Sequence, residues 1–385
     1  MELYVLSALT TETFDLAART RGRKVATSCP EIIMSFSSLA SYRLATMQEL
    51  VIHFGSRLEI YAGDHAHDAA IRLIRPGQLE FTQLKNGFLP GEILIQRVPL
   101  RRYIRCRTLL LDLNPRIPHV WILLLVRMML RRRTILWGHA WPRSGPASTT
   151  DRVRHMMRRM ADSLITYTTT QASELRVRHT NKQIVSAPNA LYRESEFAFD
   201  DETMRDTILY VGRLHKDKKP DLLVRAFGSS QAECSDLRLI IVGDGDFSNE
   251  VQALVDSSPA GGSIQLLGFI SDYQMLRRLY SRAIATVSPG YVGLSITQSL
   301  SFGVPMIISR DEDHSPELEA AEEGVNCVFF ETDSVTDLSA KMLDMAADRE
   351  SWRERGQSIK ARCASKYSVE QMVAGLIAAL EGTIS

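Results

Sequence analysis

The chain has 385 residues, of which 45% are hydrophobic and 24% charged, and a formal net charge of +1. That length calls for two domains rather than one core, and the composition excludes disordered, collagen-like and low-complexity classes. The five cysteines, Cys29, Cys106, Cys234, Cys327 and Cys363, are scattered without a CxxC pair, which argues against zinc and suits a reducing cytoplasm.

In chain order, residues 1–30 fit no strand–helix unit. They lack the basic start, apolar run and cleavage site of a secretion signal, so they stand as an uncertain extension. Short apolar runs then alternate with helical patterns, the signature of parallel sheets with crossover helices. Predicted strands are Glu31–Phe36, Leu58–Ala62, Glu92–Val98, Thr108–Leu113, Thr134–Gly138, Ser163–Tyr167 and Gln183–Ala187. The apolar stretch Val120–Leu130 carries Arg127 and is too short for the ~20 residues that span a bilayer, so a buried helix is expected.

Asn189–Arg205 loses periodicity and turns acidic. The expected division is therefore a Rossmann-like first domain over 1–190, a linker over 191–205, and a second Rossmann-like domain over 206–366. Strands in the second half are predicted at Ile208–Val211, Leu237–Val242, Ile264–Leu267, Ala283–Ser288, Met306–Ser309 and Cys327–Phe330. A last helix falls within 367–385: Ser368 is placed to cap it, Glu370 and Gln371 lie in its first turn, and its apolar face is expected to pack on a domain.

The near-neutral total hides two oppositely charged halves. Residues 1–190 hold 27 Lys and Arg against 14 Asp and Glu, or +13, whereas residues 191–385 hold 19 against 31, or −12. The basic excess gathers in Arg97–Arg107, Arg131–Arg133 and Arg152–Arg159, beside Trp, Tyr, Leu and Met. Solvated helix faces would explain it, and so would docking on anionic lipid, worth ~1 kcal/mol per cation. No zinc-ligand, RNP-like or helix-turn-helix signature accompanies the charge, and the acidic half would repel phosphates, so nucleic acid is not an expected partner.

Four segments carry chemistry. In ILYVGRLHKDKKPDLLVRAF, residues 208–227, an apolar strand stops at Gly212 and delivers Arg213 and Lys218 into a loop before a helix. Two cations, a glycine and a helix N-terminus suit a diphosphate. LIIVGDGD, residues 239–246, ends a second strand at Gly243, and LLGFIS, residues 266–271, ends a third at Gly268 and Phe269. In SPGYVGLSITQSLSFGVPMIIS, residues 288–309, backbone amides at Gly290, Gly293 and Leu294 precede a helix starting near Ser295, and Gln298 lies one turn in, where its amide can meet a ribose.

These segments resemble, in order and spacing, the second domain of the retaining family 4 glycosyltransferases of the GT-B fold. The family shows VGRL with a lysine five after the arginine, VGDG, LGF, and a glycine-rich turn opening a helix that ends in GxP. APNALY, residues 187–192, is similar to the PNG stretch closing the family's first domain, and the resemblance covers about residues 160–380. It implies a GT-B α/β chain whose first domain binds the acceptor. Arg213 and Lys218 would neutralise the donor diphosphate without a metal, the amides near Gly293 and Leu294 would assist, and His139, in TILWGHAWPR, would face the donor sugar. The implied activity is retaining transfer from a nucleotide-diphosphate sugar; the basic first half beside an acidic second half suits a lipid-linked or polysaccharide acceptor, in the cytoplasm or on the inner membrane face.

The chain departs from the family where two glutamates normally stand eight positions apart: the aligned residues are Gly290 and Gln298. Glu317, in DHSPELEA, is a candidate replacement carboxylate. Asp311-Glu312-Asp313 has the DxD spacing of metal-binding transferases but reads as an exposed loop. No GxSxG, HExxH, Walker A or GxGxxG pattern appears. A GT-B nucleotide-sugar epimerase and a non-catalytic scaffold remain as alternatives.

Overall fold

The computed structural model describes residues 30–68, 71–142, 145–201 and 204–382. Most of the N-terminal extension, with Cys29, lies outside the described residues. Apolar runs form the interior strands because both faces of a parallel sheet are covered. The first sheet comprises β1 (Ile32–Phe36), β2 (Leu58–Gly63), β3 (Thr82–Leu84), β6 (Thr108–Asp112), β7 (Arg133–Trp137), β8 (Ser163–Thr166) and β9 (Gln183–Ser186). Its order is β3-β2-β1-β6-β7-β8-β9, and every pairing is parallel.

The predicted strand Glu92–Val98 is shorter and belongs to neither main sheet. Residues Ile93–Gln96, β5, pair antiparallel with β4, Asn86–Leu89, in a hairpin. The alternating exposure of Ile93, Leu94, Ile95 and Gln96 marks a one-sided ribbon rather than a strand buried on both faces.

Helices α1 (Leu44–Phe54), α2 (Leu100–Arg105), α3 (Pro118–Met129), α4 (Asp151–Met160) and α5 (Thr169–Arg178) cover this sheet. The expectation that Val120–Leu130 is a buried helix needs correction. Only Val120, Leu123, Leu124 and Arg127 of α3 are buried, and all its exposed positions, Pro118, Ile122, Leu125, Met128 and Met129, are apolar. The polar residue is on the inside: the fully buried Arg127 guanidinium donates to the carbonyls of Tyr103 (2.5 Å), Cys106 (3.1 Å) and Arg133 (2.6 Å), tying the end of α2 to the start of β7.

The second sheet orders β12-β11-β10-β13-β14-β15, again all parallel. Its strands are β10 (Thr207–Val211), β11 (Arg238–Val242), β12 (Ile264–Leu266), β13 (Ala283–Ser288), β14 (Met306–Ser309) and β15 (Cys327–Phe330). Around it lie α6 (Pro220–Glu233), α7 (Ser248–Ser257), α8 (Tyr273–Arg282), α9 (Ser295–Ser301), α10 (Val335–Ala347) and α11 (Arg349–Tyr367). The last helix, α12 (Val369–Glu381), is capped by the Ser368 hydroxyl, which accepts from the Gln371 amide. It returns to the first domain, where Val369, Met372, Leu376 and Leu380 join the core of Ile32, Met34, Leu50 and Ile135.

Between the sheets, residues 187–201 and 204–206 run irregularly, with one short helical turn among these described residues at Glu194–Glu196. Phe199 from this stretch lies against Gly303 and Gly356 of the second domain, while Arg193 reaches Glu49 of the first at 2.7 Å.

Candidate active site

The carboxyl edge of the second sheet is closed by backbone contact between strand ends. A Cβ at Gly243 would collide with the carbonyl oxygen of Gly212, and the Gly243 amide donates to Gly268 O at 2.8 Å. The three predicted strand-end glycines thus form one surface, and only residues without side chains let β10 and β11 finish so close together. Phe269 beyond them is exposed and lies under a first-domain cation, with the Arg72 guanidinium 3.5 Å from its ring centroid.

Arg213 and Lys218 leave β10 and meet at Tyr291, a residue that sequence reasoning did not single out. Arg213 donates to the Tyr291 hydroxyl at 3.1 Å, while Lys218 Nζ donates to the Tyr291 carbonyl at 2.7 Å and lies 3.2 Å from the ring centroid. Burial, together with the nearby Arg213 charge, pushes the Lys218 ammonium down to about 7. The only sequence signal for Tyr291 was its place inside the glycine turn. Across the cleft, Arg213 also pairs with Asp68 at 3.1 Å.

The turn before α9 is braced from the other side. His314 Nδ1 accepts from the Val292 amide at 3.0 Å, and the Ser315 amide donates to Val292 O at 3.0 Å. This sets Gly293 and Leu294 beside Ser315 and brings Glu317 near enough to act electrostatically on Lys218. Glu317 also accepts from the Asn189 side chain at 2.9 Å, across the domain junction. Glu312, from the DxD-spaced run, is engaged by Lys219 at 2.5 Å and Ser309 at 3.2 Å.

Both departures from the family pattern acquire a physical meaning. A Cβ on Gly290 would strike the Asp217 carbonyl and come within 2.9 Å of Lys218 Cα, so no glutamate fits unless the loop bearing Lys218 moves. The Gln298 amide nitrogen donates to the Tyr192 hydroxyl at 2.9 Å, which leaves its second N–H and its carbonyl oxygen to meet a ligand.

His139 follows β7 on the opposite wall, edge-on to Tyr167 with 4.8 Å between ring centroids. It lines a cleft of 1310 Å³ that first-domain residues share with Asp313, His314, Ser315 and Pro316. Arg213 and Lys218 are not in that lining: the cleft is the half of the crevice next to them.

Two Rossmann-like domains facing each other across such a crevice define the GT-B fold. The crystal structure of Anabaena HepE in complex with UDP is similar, with a TM-score of 0.67 and 13% sequence identity over 91% of this chain and 100% of that one. Residues 193–362 match the model of the glycosyl transferases group 1 family. An N-acetylgalactosaminyltransferase of Campylobacter jejuni, named for a diphospho-undecaprenol acceptor, is 30% identical over 128 residues, 33% of this chain and 34% of that protein. The alpha-monoglucosyldiacylglycerol synthase of Acholeplasma laidlawii is 28% identical over 127 residues, 32% of this chain and 30% of that protein. The chain spans about a third of the length of these curated relatives.

Proposed function

We propose that this chain transfers a sugar, with retention, from a nucleotide-diphosphate sugar to a lipid-linked or saccharide acceptor at the cytoplasmic membrane face. What carries the reading is the meeting of Arg213 and Lys218 at Tyr291, with Lys218 pushed down to about 7 by burial and the Arg213 charge despite Asp217 and Glu317 nearby. A diphosphate would supply the further negative charge that two converging cations favour. Residues 206–366 then form the donor domain and residues 1–190 the acceptor domain, joined by 191–205 and strapped by the helix within 367–385.

In this scheme the bond from the anomeric carbon to the β-phosphate oxygen breaks, and the acceptor oxygen bonds to that carbon on the face the phosphate leaves. The acceptor proton passes to the departing phosphate oxygen. Arg213 and Lys218 stabilise the developing charge in place of a metal, the close-packed Gly212, Gly243 and Gly268 admit the diphosphate, and Gln298 meets the ribose. His139 faces the sugar, and Glu317 supplies the carboxylate that Gly290 cannot.

The exposed face of the first domain supports membrane contact. The exposed positions of α3 are all apolar, Val153 and Met156 of α4 are exposed too, and α2, α4 and the turn after α3 expose Arg101, Arg105, Arg131, Arg132, Arg152 and Arg159. The only acidic residue in α2, α3 and α4 is Asp151, which Arg158 neutralises at 2.7 Å. Exposed apolar side chains on helices that also expose cations suit an anionic bilayer. Among the described residues no helix is long and apolar enough to cross a membrane.

The deciding experiment is nucleotide binding to the intact chain and to Arg213→Ala and Lys218→Ala. UDP, GDP or dTDP at 100 times its dissociation constant should stabilise the fold by ~2.7 kcal/mol. Each variant should lose nucleotide-diphosphate affinity far more than nucleoside affinity. Equal losses of both would remove the diphosphate site.

A further inference from the structure

Among the buried side-chain nitrogens of the described residues that lack a hydrogen-bond partner, two belong to adjacent side chains that line the cleft. Arg43 is 8% exposed and Trp137 2% exposed; Arg43 Nε and Trp137 Nε1 are both unpaired. The Arg43 guanidinium carbon lies 4.4 Å from the Trp137 ring centroid, and both residues line the 1310 Å³ cleft. Their remaining contacts are neutral: Arg43 Nη2 donates to the Tyr167 hydroxyl at 3.0 Å and reaches Asn189 Oδ1 at 3.5 Å. The carboxylate that acts on Arg43 through space, Asp112, makes no ion pair with it and accepts the Ser37 amide at 2.6 Å.

A guanidinium withdrawn from water is costly unless it is paired and its donors are filled. Here the deficit is all of one kind: donors lack acceptors, and a cation lacks an ion-pair partner. The missing complement is therefore an anionic oxygen group. Topology independently points to the same place. Neighbouring strands β1 and β6 carry the chain to opposite sides of the sheet, and ligands of open α/β sheets bind in the crevice beyond such a switch point. Ser37 follows β1, Asp112 ends β6, and Arg43 lies between β1 and α1.

We propose that Arg43 and Trp137 form an oxyanion-binding floor in the first domain's half of the cleft, where they receive a phosphate or carboxylate carried by the acceptor. Calling the ligand the acceptor rests on the transferase reading above; the oxyanion site itself does not. The acceptor would thus be recognised by charge as well as by its sugar hydroxyls.

The test uses the full chain saturated with UDP, so that the Arg213–Lys218 site is occupied. Geranyl pyrophosphate, galacturonate and geraniol are then titrated while the indole N–H resonances are followed, and Trp137→Phe identifies the Trp137 signal. The expected result is a shift of that signal by geranyl pyrophosphate, by galacturonate or by both, and none by geraniol. Which anion acts tells a phosphate-bearing acceptor from a uronate-bearing one. Arg43→Gln should weaken the responding anion about 10-fold to 100-fold, and Trp137→Phe, which keeps the ring packing, should weaken it several-fold. UDP affinity should stay unchanged in both variants. If no anion moves the Trp137 resonance, or if Trp137→Phe binds the anion as the parent does, the oxyanion floor is overturned. Failure of UDP itself to bind would instead strike the transferase reading.

Discussion

Arg213 holds the carboxylate of Asp68 at 3.1 Å across the crevice, so the cation proposed to grip a diphosphate is already engaged by an anion of the other domain. The donor must replace Asp68. Both partners are exposed enough that such a pair is worth about 0.2–1 kcal/mol. Asp68→Ala should therefore tighten UDP binding by up to about fivefold. Titration calorimetry would check it, and unchanged or weaker affinity would mean that Asp68 does not compete.

Lys218 makes nucleotide binding depend on pH. Its ammonium titrates near 7 without ligand, because burial and Arg213 disfavour the charge, and a bound diphosphate raises that value. UDP affinity should then be flat below about pH 7 and fall as pH climbs, by at most tenfold per unit, until the bound-state value is passed. Calorimetry near pH 8 in buffers of different ionisation enthalpy should show uptake of up to one proton. The dependence should vanish in Lys218→Ala.

Gly290→Glu restores the carboxylate usual in the family, yet it should lower UDP affinity rather than raise activity. The new side chain would displace the Asp217–Lys218 backbone. Overpacking of this kind costs about 1–3 kcal/mol, readable as a lower melting temperature together with a Kd weaker by about fivefold or more. A variant that binds UDP normally would show that the loop yields freely.

Docking of the first domain predicts that vesicles containing anionic phosphatidylglycerol capture the protein, that phosphatidylcholine vesicles do so weakly, and that salt weakens capture. Leu125→Glu with Met129→Glu should abolish capture at all salt concentrations. Arg131→Ala with Arg132→Ala should reduce it mainly at low salt. Sedimentation separates these outcomes, and concentration-dependent dimerisation lost in the glutamate variant would identify a second copy as the occupant instead.

How far the sequence reveals this molecule depends on the reach of each interaction. The strands of the second sheet are legible because each apolar run ends in turn chemistry, as at Val242-Gly243, where local rules decide the outcome. Arg127 was legible only as a break in an apolar run, since its acceptors at Tyr103, Cys106 and Arg133 are assembled by folding. The same holds for the site. Gly212, Arg213 and Lys218 announce a loop with a recognisable order of residues, whereas Asp68 reaches Arg213 from 145 positions away. Tyr192 likewise meets Gln298 only after the linker has been laid against the second domain.

The return of α12 to the first domain also bears on how the protein is made. Val369, Met372, Leu376 and Leu380 fill a core whose other members begin at Ile32, so that hydrophobic surface stays uncovered until the C-terminal helix leaves the ribosome. The largest core cluster of the second domain lies wholly within residues 208–352 and can close before that face does. Closure of this one face of the first sheet is thus deferred to the end of translation, and a chaperone that shields it on the nascent chain would have the most to protect.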